Sequence, residues 1–134
     1  MKDKEIKEVL RSSKTIAVVG ISPKEDRPSY GVASYLKSKG YRIFPVRPDG
    51  DEILGETVYH GLTEIPRGIE IDVVDIFRKS EDVPPVVEEA IRRGAKVVWM
   101  QEGIINQEAR TKAEKVGLKV VMDLCMKKEH QRLF

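Results

Sequence analysis

The sequence predicts a Rossmann-like α/β domain, in which helices cover both faces of a doubly wound parallel sheet in three layers. Apolar, β-rich segments alternate along the chain with amphipathic segments of about ten residues, the pattern of repeated βαβ units. The segment 15–19 (TIAVV) is apolar without a break, as strands buried on both faces of a parallel sheet usually are. The length of 134 residues fits one domain over 1–134.

The first half of the chain supplies the start of the sheet. Ile6, Val9 and Leu10 recur at helical spacing and indicate a helix within residues 1–13 that packs on the domain. Ser29 is a candidate N-cap for the second helix, and Gly40 is a stop signal for it. The predicted elements are a helix over 3–11, strands over 15–19 and 41–46, a helix over 29–39 and a short strand over 56–59.

The second half repeats the alternation of strands and helices. Pro84 and Pro85 fit only the first turn of a helix, so the helix after the fourth strand begins near Glu81. Gly117 ends the next helix. The predicted elements are strands over 71–77, 96–100 and 118–122, a helix that begins near residue 81, and helices over 106–115 and 127–133.

Composition narrows the classes of function. A net charge of +2 gives no polybasic surface, so no nucleic-acid partner is expected. The longest apolar runs are far below the roughly 20 residues that cross a bilayer, and we expect a cytoplasmic protein without a membrane partner. One cysteine, Cys125, and two histidines, His60 and His130, leave little for a metal site, and none is expected.

Ligands of doubly wound sheets bind at the carboxyl ends of the strands, so the residues after each strand are the candidate site. The first strand is followed by Gly20 and Ser22, but the glycines of a dinucleotide fingerprint are absent beyond the first. Gly20 permits a tight turn, and the hydroxyl of Ser22 can donate to a phosphate oxygen. Lys24 and Arg27 add positive charge to this loop, and Ser29 adds either a second hydroxyl or a cap.

The other strand ends carry further candidates. Arg47, followed by Pro48, stands where an NAD-binding domain normally has an acidic residue, and it favours a phosphate on the ribose, as in NADP or coenzyme A. Phe77 and Arg78 close the fourth strand, where an aromatic ring and a cation can line a cofactor channel, although Phe77 fits the core equally well. The fifth strand is followed by an amide, a carboxylate and a glycine, Gln101, Glu102 and Gly103.

No catalytic residue is assigned from the sequence. No Ser/His/Asp set can be identified around the two histidines. Cys125 precedes the last helix, whose positive end can favour a thiolate, but the spacing to His130 does not place the two side chains on one helical face.

At these strand ends the sequence resembles the small stand-alone CoA-binding domain proteins, relatives of the N-terminal CoA-binding domain of the succinyl-CoA synthetase alpha subunit. The resemblance covers residues 14–134. It rests on the segments Val18–Ser22, Gly40–Tyr41, Pro45–Pro48, Val73–Arg78, Val98–Gly103, Asp123–Cys125 and Glu129–His130. It implies the Rossmann-like fold and coenzyme A as the ligand.

Carried to this chain, the resemblance implies contacts with the whole cofactor. The implied phosphate contacts are Gly20, Ile21, Ser22 and Pro23, assisted by Lys24, Arg27 and Ser29; Arg47 and Pro48 lie toward the adenosine, and Phe77, Arg78, Gln101, Glu102 and Gly103 follow the rest. The family usually has Pro-Val-Asn-Pro at the second strand, and here Arg47 replaces the asparagine. The second domain and phosphohistidine segment of the synthetase are not found, so ligase activity is not implied.

The prediction is therefore a non-catalytic or regulatory module that binds coenzyme A or an acyl-CoA at the carboxyl edge of the sheet. Three alternatives remain open at this point: an NADP-dependent oxidoreductase, a thiol-dependent redox protein that uses Cys125, and an interaction protein with a vestigial pocket. No protein partner is indicated.

Overall fold

A parallel sheet organises the protein in the computed structural model, which describes residues 1–134. The strands are β1 (Thr15–Val19), β2 (Arg42–Val46), β3 (Glu52–Ile53), β4 (Glu56–Thr57), β5 (Val73–Ile76), β6 (Val97–Met100) and β7 (Lys119–Val121). The helices are α1 (Asp3–Ser12), α2 (Pro28–Ser38), α3 (Val83–Arg93), α4 (Gln107–Lys115) and α5 (Met126–Leu133). Single 3₁₀ turns occupy Leu62–Glu64 and Ser80–Asp82.

The main sheet has five parallel strands in the order β2-β1-β5-β6-β7. The chain proceeds from β1 outward to β2, then returns to the other side of β1 with β5 and continues outward to β7. The strand order therefore reverses between β1 and β5, where Val19 is paired with Ile76. In sheets of this kind, that reversal opens a crevice above the carboxyl ends of the strands.

Helices cover both faces of the sheet, which confirms the three-layer, doubly wound prediction. On one face, α1, α2 and α5 pack over a core that includes Leu10, Leu36 and Trp99. On the other face, α3 and α4 pack over a core that includes Val87 and Met100. Every residue of β5 and β6 is buried, as expected for central strands between two helical layers. None of the helices combines the length and apolar character needed to cross a membrane.

Two details of the sequence prediction change. The short strand predicted over 56–59 is limited to β4, which pairs antiparallel with β3 outside the main sheet, so that sheet has five strands rather than six. Tyr59 makes only an isolated parallel bridge to Val46. Ser29 is not the N-cap of α2: the helix begins at Pro28, whose fixed φ suits the first helical position, and Arg27 occupies the cap.

Candidate functional site

A crevice at the carboxyl edge of the sheet contains two adjoining lobes. The smaller lobe has a volume of about 370 Å³ and lies against the β1–α2 loop and the end of β5. The larger lobe, about 740 Å³, extends past the end of β6 to the first turn of α5. Both volumes fall in the range of about 300–1,000 Å³ that is common for ligand sites. The two lobes share four lining residues: Arg27, Pro28, Phe77 and Ile104.

The close approach of β1 and β5 requires Gly20. Phe77 N donates to Val19 O at 2.8 Å, which holds the end of β5 against the end of β1. A Cβ added to Gly20 would collide with the carbonyl oxygen of Phe77, and the φ of Gly20 is +88°, a left-handed conformation. Glycine is therefore the residue that lets the chain leave β1 and turn into the crevice.

Two serine hydroxyls line the smaller lobe and are held in place by backbone groups. Ser22 N donates to Ser29 Oγ at 2.9 Å, and Lys24 N donates to Ser22 Oγ at 3.1 Å. Each hydroxyl oxygen thus already accepts a backbone hydrogen bond, and its own proton has no acceptor within the protein. Both hydroxyls are positioned to donate to an acceptor in the lobe.

The smaller lobe is strongly positive. Arg27, Arg78 and Lys79 line it, no carboxylate does, and none of the three takes part in an ion pair. Arg78 Nε is buried without a hydrogen-bond partner. Unpaired cations together with free hydroxyl donors are the groups that bind phosphate oxygens. The donor set of this lobe therefore fits a phosphorylated ligand.

The larger lobe combines apolar walls with polar groups. Phe77, Ile104 and Cys125 contribute apolar surface. Gln101 is 4% exposed, and its Oε1 accepts a hydrogen bond from Met126 N at 3.1 Å. This contact joins the end of β6 to the first residue of α5.

Three carboxylates also line the larger lobe. Glu25 and Asp26 are exposed on the β1–α2 loop, while Glu102 forms a 2.9 Å ion pair with Lys128. The hydrogen bond and the charge of Glu102 raise the pKa of Lys128. The larger lobe is therefore nearly balanced in charge, unlike the smaller one.

Eight of the predicted site residues line the crevice. Gly20, Ser22, Arg27, Ser29, Phe77 and Arg78 line the smaller lobe, and Arg27, Phe77, Gln101 and Glu102 line the larger one. Phe77 is half-buried and packs against the core as well as lining the crevice, so the two roles left open by the sequence are both present.

The β1–α2 loop holds three predicted residues that do not line either lobe. The side chain of Ile21 is 1% exposed and belongs to the core beneath the loop. Pro23 and Lys24 are exposed on the loop away from the lobes. The apolar side chain of Ile21 therefore contributes to the core and not to the crevice.

Arg47, Pro48 and Gly103 also lie outside the two lobes. Arg47 Nη2 contacts Asp49 Oδ1 at 2.7 Å, and Arg47 Nη1 donates to Ile21 O at 3.2 Å, so its guanidinium braces the loop. Pro48 is exposed. Gly103 N donates to the carboxylate of Asp123 at 2.6 Å, which fixes the β6–α4 loop.

Several lining residues were not predicted from the sequence. Pro28, Lys79, Ile104, Lys127, Lys128 and Gln131 line the lobes in addition to the predicted set. The rule that points to strand ends also applies to β7, and it would have indicated the first turn of α5 as a whole. Ile104 and Lys79 follow predicted residues directly or within two positions, so a wider window after each strand would have included them.

Cys125 and His130 belong to different environments. Cys125 lines the larger lobe at the start of α5. His130 lies near the other end of that helix, where Nδ1 is 2.8 Å from Tyr35 Oη and the ring stacks on Phe134. Burial, with a contribution from the charge of Lys39, lowers the pKa of His130. The structure does not pair this histidine with the cysteine.

A separate cavity of about 580 Å³ lies at the opposite, amino edge of the sheet. It is lined by residues such as Asp72, Lys96 and Val116. Lys96 lies 3.4 Å from Asp72 and 3.3 Å from Glu70, so this cation already has partners within the protein. The only other cation of the lining is Lys119, so this cavity lacks the cluster of unpaired cations that lines the smaller lobe.

Comparison with known proteins agrees with the chemistry of the crevice. Residues 14–131 match the family model of the CoA binding domain. The chain belongs to the CoA-binding domain family. This confirms the resemblance recognised from the strand ends, because all the segments that carried it fall within the matched range.

Relatives of this CoA-binding domain include both small and large proteins. The uncharacterized protein YneT of Bacillus subtilis is 45% identical over 126 residues, which are 94% of this chain and 92% of that protein. The ADP-forming acetate–CoA ligase II of Archaeoglobus fulgidus is 30% identical over 103 residues, which are 75% of this chain but only 15% of the ligase. The chain thus spans a small part of the ligase.

Solved structures of similar size share the fold. A hypothetical protein from Pyrococcus horikoshii matches with a TM-score of 0.94 and 44% identity, over 99% of this chain and 92% of that chain. A protein from Thermus thermophilus matches with a TM-score of 0.94 and 34% identity, over the full length of both chains. The same fold therefore also occurs in solved chains of about this length.

Proposed function

We propose that this protein is a single CoA-binding domain over residues 1–134 that binds coenzyme A or an acyl-CoA in the crevice at the carboxyl edge of the sheet. We infer that it acts as a non-catalytic or regulatory module. The observation that carries the proposal is the smaller lobe, where three unpaired cations and two free hydroxyl protons adjoin a larger lobe with apolar walls. The membership of the chain in the CoA-binding domain family supports it.

The pyrophosphate of the ligand occupies the smaller lobe in this proposal. Arg27, Arg78 and Lys79 neutralise its charge, and the hydroxyls of Ser22 and Ser29 donate to its oxygens. The N-terminus of α2, which begins at Pro28, adds the favourable end of a helix dipole. The adenosine then extends toward Pro48 on the β2 side of the loop, with its 3′-phosphate near Arg47.

The pantetheine arm crosses into the larger lobe between Phe77 and Ile104, which line both lobes. Its methylene and dimethyl groups contact these apolar side chains, and its amides lie within reach of the polar groups beyond. A ligand with a charged head and a long, mostly uncharged arm matches the difference in charge between the two lobes.

Isothermal titration calorimetry with CoA, NADP and NAD tests the proposal. We expect CoA to bind most tightly. Replacing Ser22→Ala together with Arg27→Ala should weaken CoA binding by about 2–4 kcal/mol, because hydrogen bonds to charged groups contribute about 1.5–3 kcal/mol each before non-additivity. Lys24→Ala is the matched control: this cation lies on the same loop but lines neither lobe, and we expect it to change the affinity less than about twofold.

Two results would contradict the proposal. Tighter binding of NADP than of CoA would favour an oxidoreductase, and a double variant that binds CoA as well as the parent protein would show that the phosphates bind elsewhere. Cys125→Ser separates the thiol-dependent alternative, since CoA binding without Cys125 requires no covalent bond to the protein.

A further inference from the structure

The side-chain oxygen of Gln101 is held by the protein, whereas its NH₂ group is open to the crevice. Its oxygen accepts a hydrogen bond from Met126 N. A backbone N–H can only donate, so the amide oxygen must face α5 and the NH₂ group must face away from it. That NH₂ group makes no hydrogen bond within the protein, although the residue is 4% exposed and lines the larger lobe. The buried side-chain atoms that lack a partner belong to Asp75 and Arg78, so Gln101 Nε2 reaches the open lobe and is free to donate to a ligand acceptor there.

The first turn of α5 adds donors beside Gln101. The N-cap residue, Cys125, makes no side-chain capping bond. Met126 N is satisfied by Gln101, but the backbone N–H groups of Lys127 and Lys128 have no acceptor. Both lysines line the same lobe as Gln101. Unpaired N–H groups at a helix N-terminus favour an oxygen that carries partial negative charge.

We propose that these donors bind the carbonyl oxygen of a thioester, so that the preferred ligand is a short-chain acyl-CoA rather than free CoA. This inference rests on the proposed function, in which the pyrophosphate occupies the smaller lobe and the pantetheine arm enters the larger one. The arm then brings its sulfur end toward α5. A free thiol has no oxygen to accept from Gln101 Nε2 and the α5 amides, whereas a thioester carbonyl accepts from them.

The charged groups around this end of the lobe limit the acyl chain. The lobe is lined by Lys127, by the Glu102–Lys128 pair, and by Glu25 and Asp26. These charged groups offer no surface for a long apolar chain. A short acyl group satisfies this limit.

The experiment compares two ligands that differ only at the carbonyl. Acetyl-CoA and S-ethyl-CoA, a thioether in which a methylene replaces the carbonyl, are titrated separately by calorimetry, with free CoA as the reference. We expect acetyl-CoA to bind about tenfold more tightly than S-ethyl-CoA, the effect of about two ordinary hydrogen bonds.

Gln101→Glu is the decisive variant. A carboxylate keeps the acceptor for Met126 N and removes the NH₂ donors, so the cap of α5 is retained while the thioester contact is lost. We expect the preference for acetyl-CoA over S-ethyl-CoA to fall to about twofold or less. The ratio of the two affinities cancels any general effect of the new charge on CoA binding. Gln131→Glu makes the same chemical change at an exposed residue of the same lobe, and it should keep the preference.

The possible outcomes separate this inference from the proposed function. Equal binding of acetyl-CoA and S-ethyl-CoA, with CoA also bound, overturns the thioester contact and leaves CoA binding intact. A tenfold preference that survives in Gln101→Glu also overturns it, because the donor would then lie elsewhere. Failure of all three ligands to bind overturns both proposals.

Discussion

Asp75 is a carboxylic acid enclosed in the centre of the sheet, and its replacement should stabilise the protein in a pH-dependent way. It is fully buried in β5, between Val18 of β1 and Trp99 of β6, and neither of its carboxyl oxygens has a hydrogen-bond partner. Burial raises the pKa of Asp75 well above its ordinary value of 3.8. In the folded protein, Asp75 therefore stays neutral over a pH range in which the same carboxyl group is ionised in the unfolded chain.

The sign of the effect follows from proton binding. Above pH 3.8 the unfolded chain releases the Asp75 proton while the folded protein retains it, so the free energy of unfolding falls as pH rises toward the raised pKa. The slope is about 1.4 kcal/mol per pH unit, and between pH 4 and pH 7 the loss reaches at most about 4 kcal/mol. Asp75→Asn has nearly the same shape and does not titrate. We expect it to match the parent protein near pH 4 and to be increasingly more stable at higher pH.

Urea unfolding at several pH values measures this difference. The chain has one tryptophan, Trp99, which is fully buried next to Asp75, so its fluorescence reports unfolding directly. Asp72→Asn is the matched control. Burial raises the pKa of Asp72, but hydrogen bonds from the backbone N–H groups of Lys14 and Thr15 and from Lys96 lower it further, and the net pKa lies below 3.8. The stability difference for Asp72→Asn should therefore be flat from pH 5 to 7. A flat difference for Asp75→Asn as well would refute the reasoning.

Two further predictions concern the crevice. Gly20→Ala should lower the free energy of unfolding by about 2 kcal/mol or more, because Gly20 has a positive φ and a Cβ there would collide with Phe77 O. Gly31→Ala, at a helical site with open space, should raise the free energy of unfolding by about 0.5–1 kcal/mol. Urea titration measures both variants, and an equal response would contradict the clash at Gly20. Asp49→Ala frees Arg47 from its ion pair and should strengthen CoA binding about threefold. The affinity for 3′-dephospho-CoA, measured by the same calorimetry, should stay unchanged. An equal gain for both ligands would show that Arg47 does not contact the 3′-phosphate.

The sheet could be predicted from the sequence because its strands are unbroken apolar segments. The segment 15–19 became β1 with the same bounds, and 96–100 became β6 with a difference of one residue. The short strand predicted over 56–59 does not join the main sheet, because two to four residues without a continuous apolar run do not specify a partner strand. Local sequence therefore determined the strands, whereas pairing outside the central sheet depended on contacts remote along the chain.

The sequence predicts the candidate site only to the extent that its residues lie at the carboxyl ends of the strands. The carboxyl-end rule identified Gly20, Arg78 and Gln101, since each lies within two residues of the end of a strand. It did not show that Arg47 pairs with Asp49, because the rule gives the position of a side chain but not the neighbours that compete for it. Pairing within the protein is set by the folded loop, and it decides which cations stay free for a ligand.

Side chains at the end of β6 hold the part of the larger lobe that α5 forms, and they orient its N–H groups for binding. Trp99 Nε1 donates to Leu124 O at 2.7 Å, and Gln101 Oε1 accepts from Met126 N at 3.1 Å, so two side chains from the end of one central strand fix residues on both sides of Cys125. Because β6 lies between β5 and β7 and is fully buried, these contacts attach the start of α5 to a rigid part of the sheet. The N–H groups of α5 are then oriented before a ligand arrives, and little ordering is left to oppose binding.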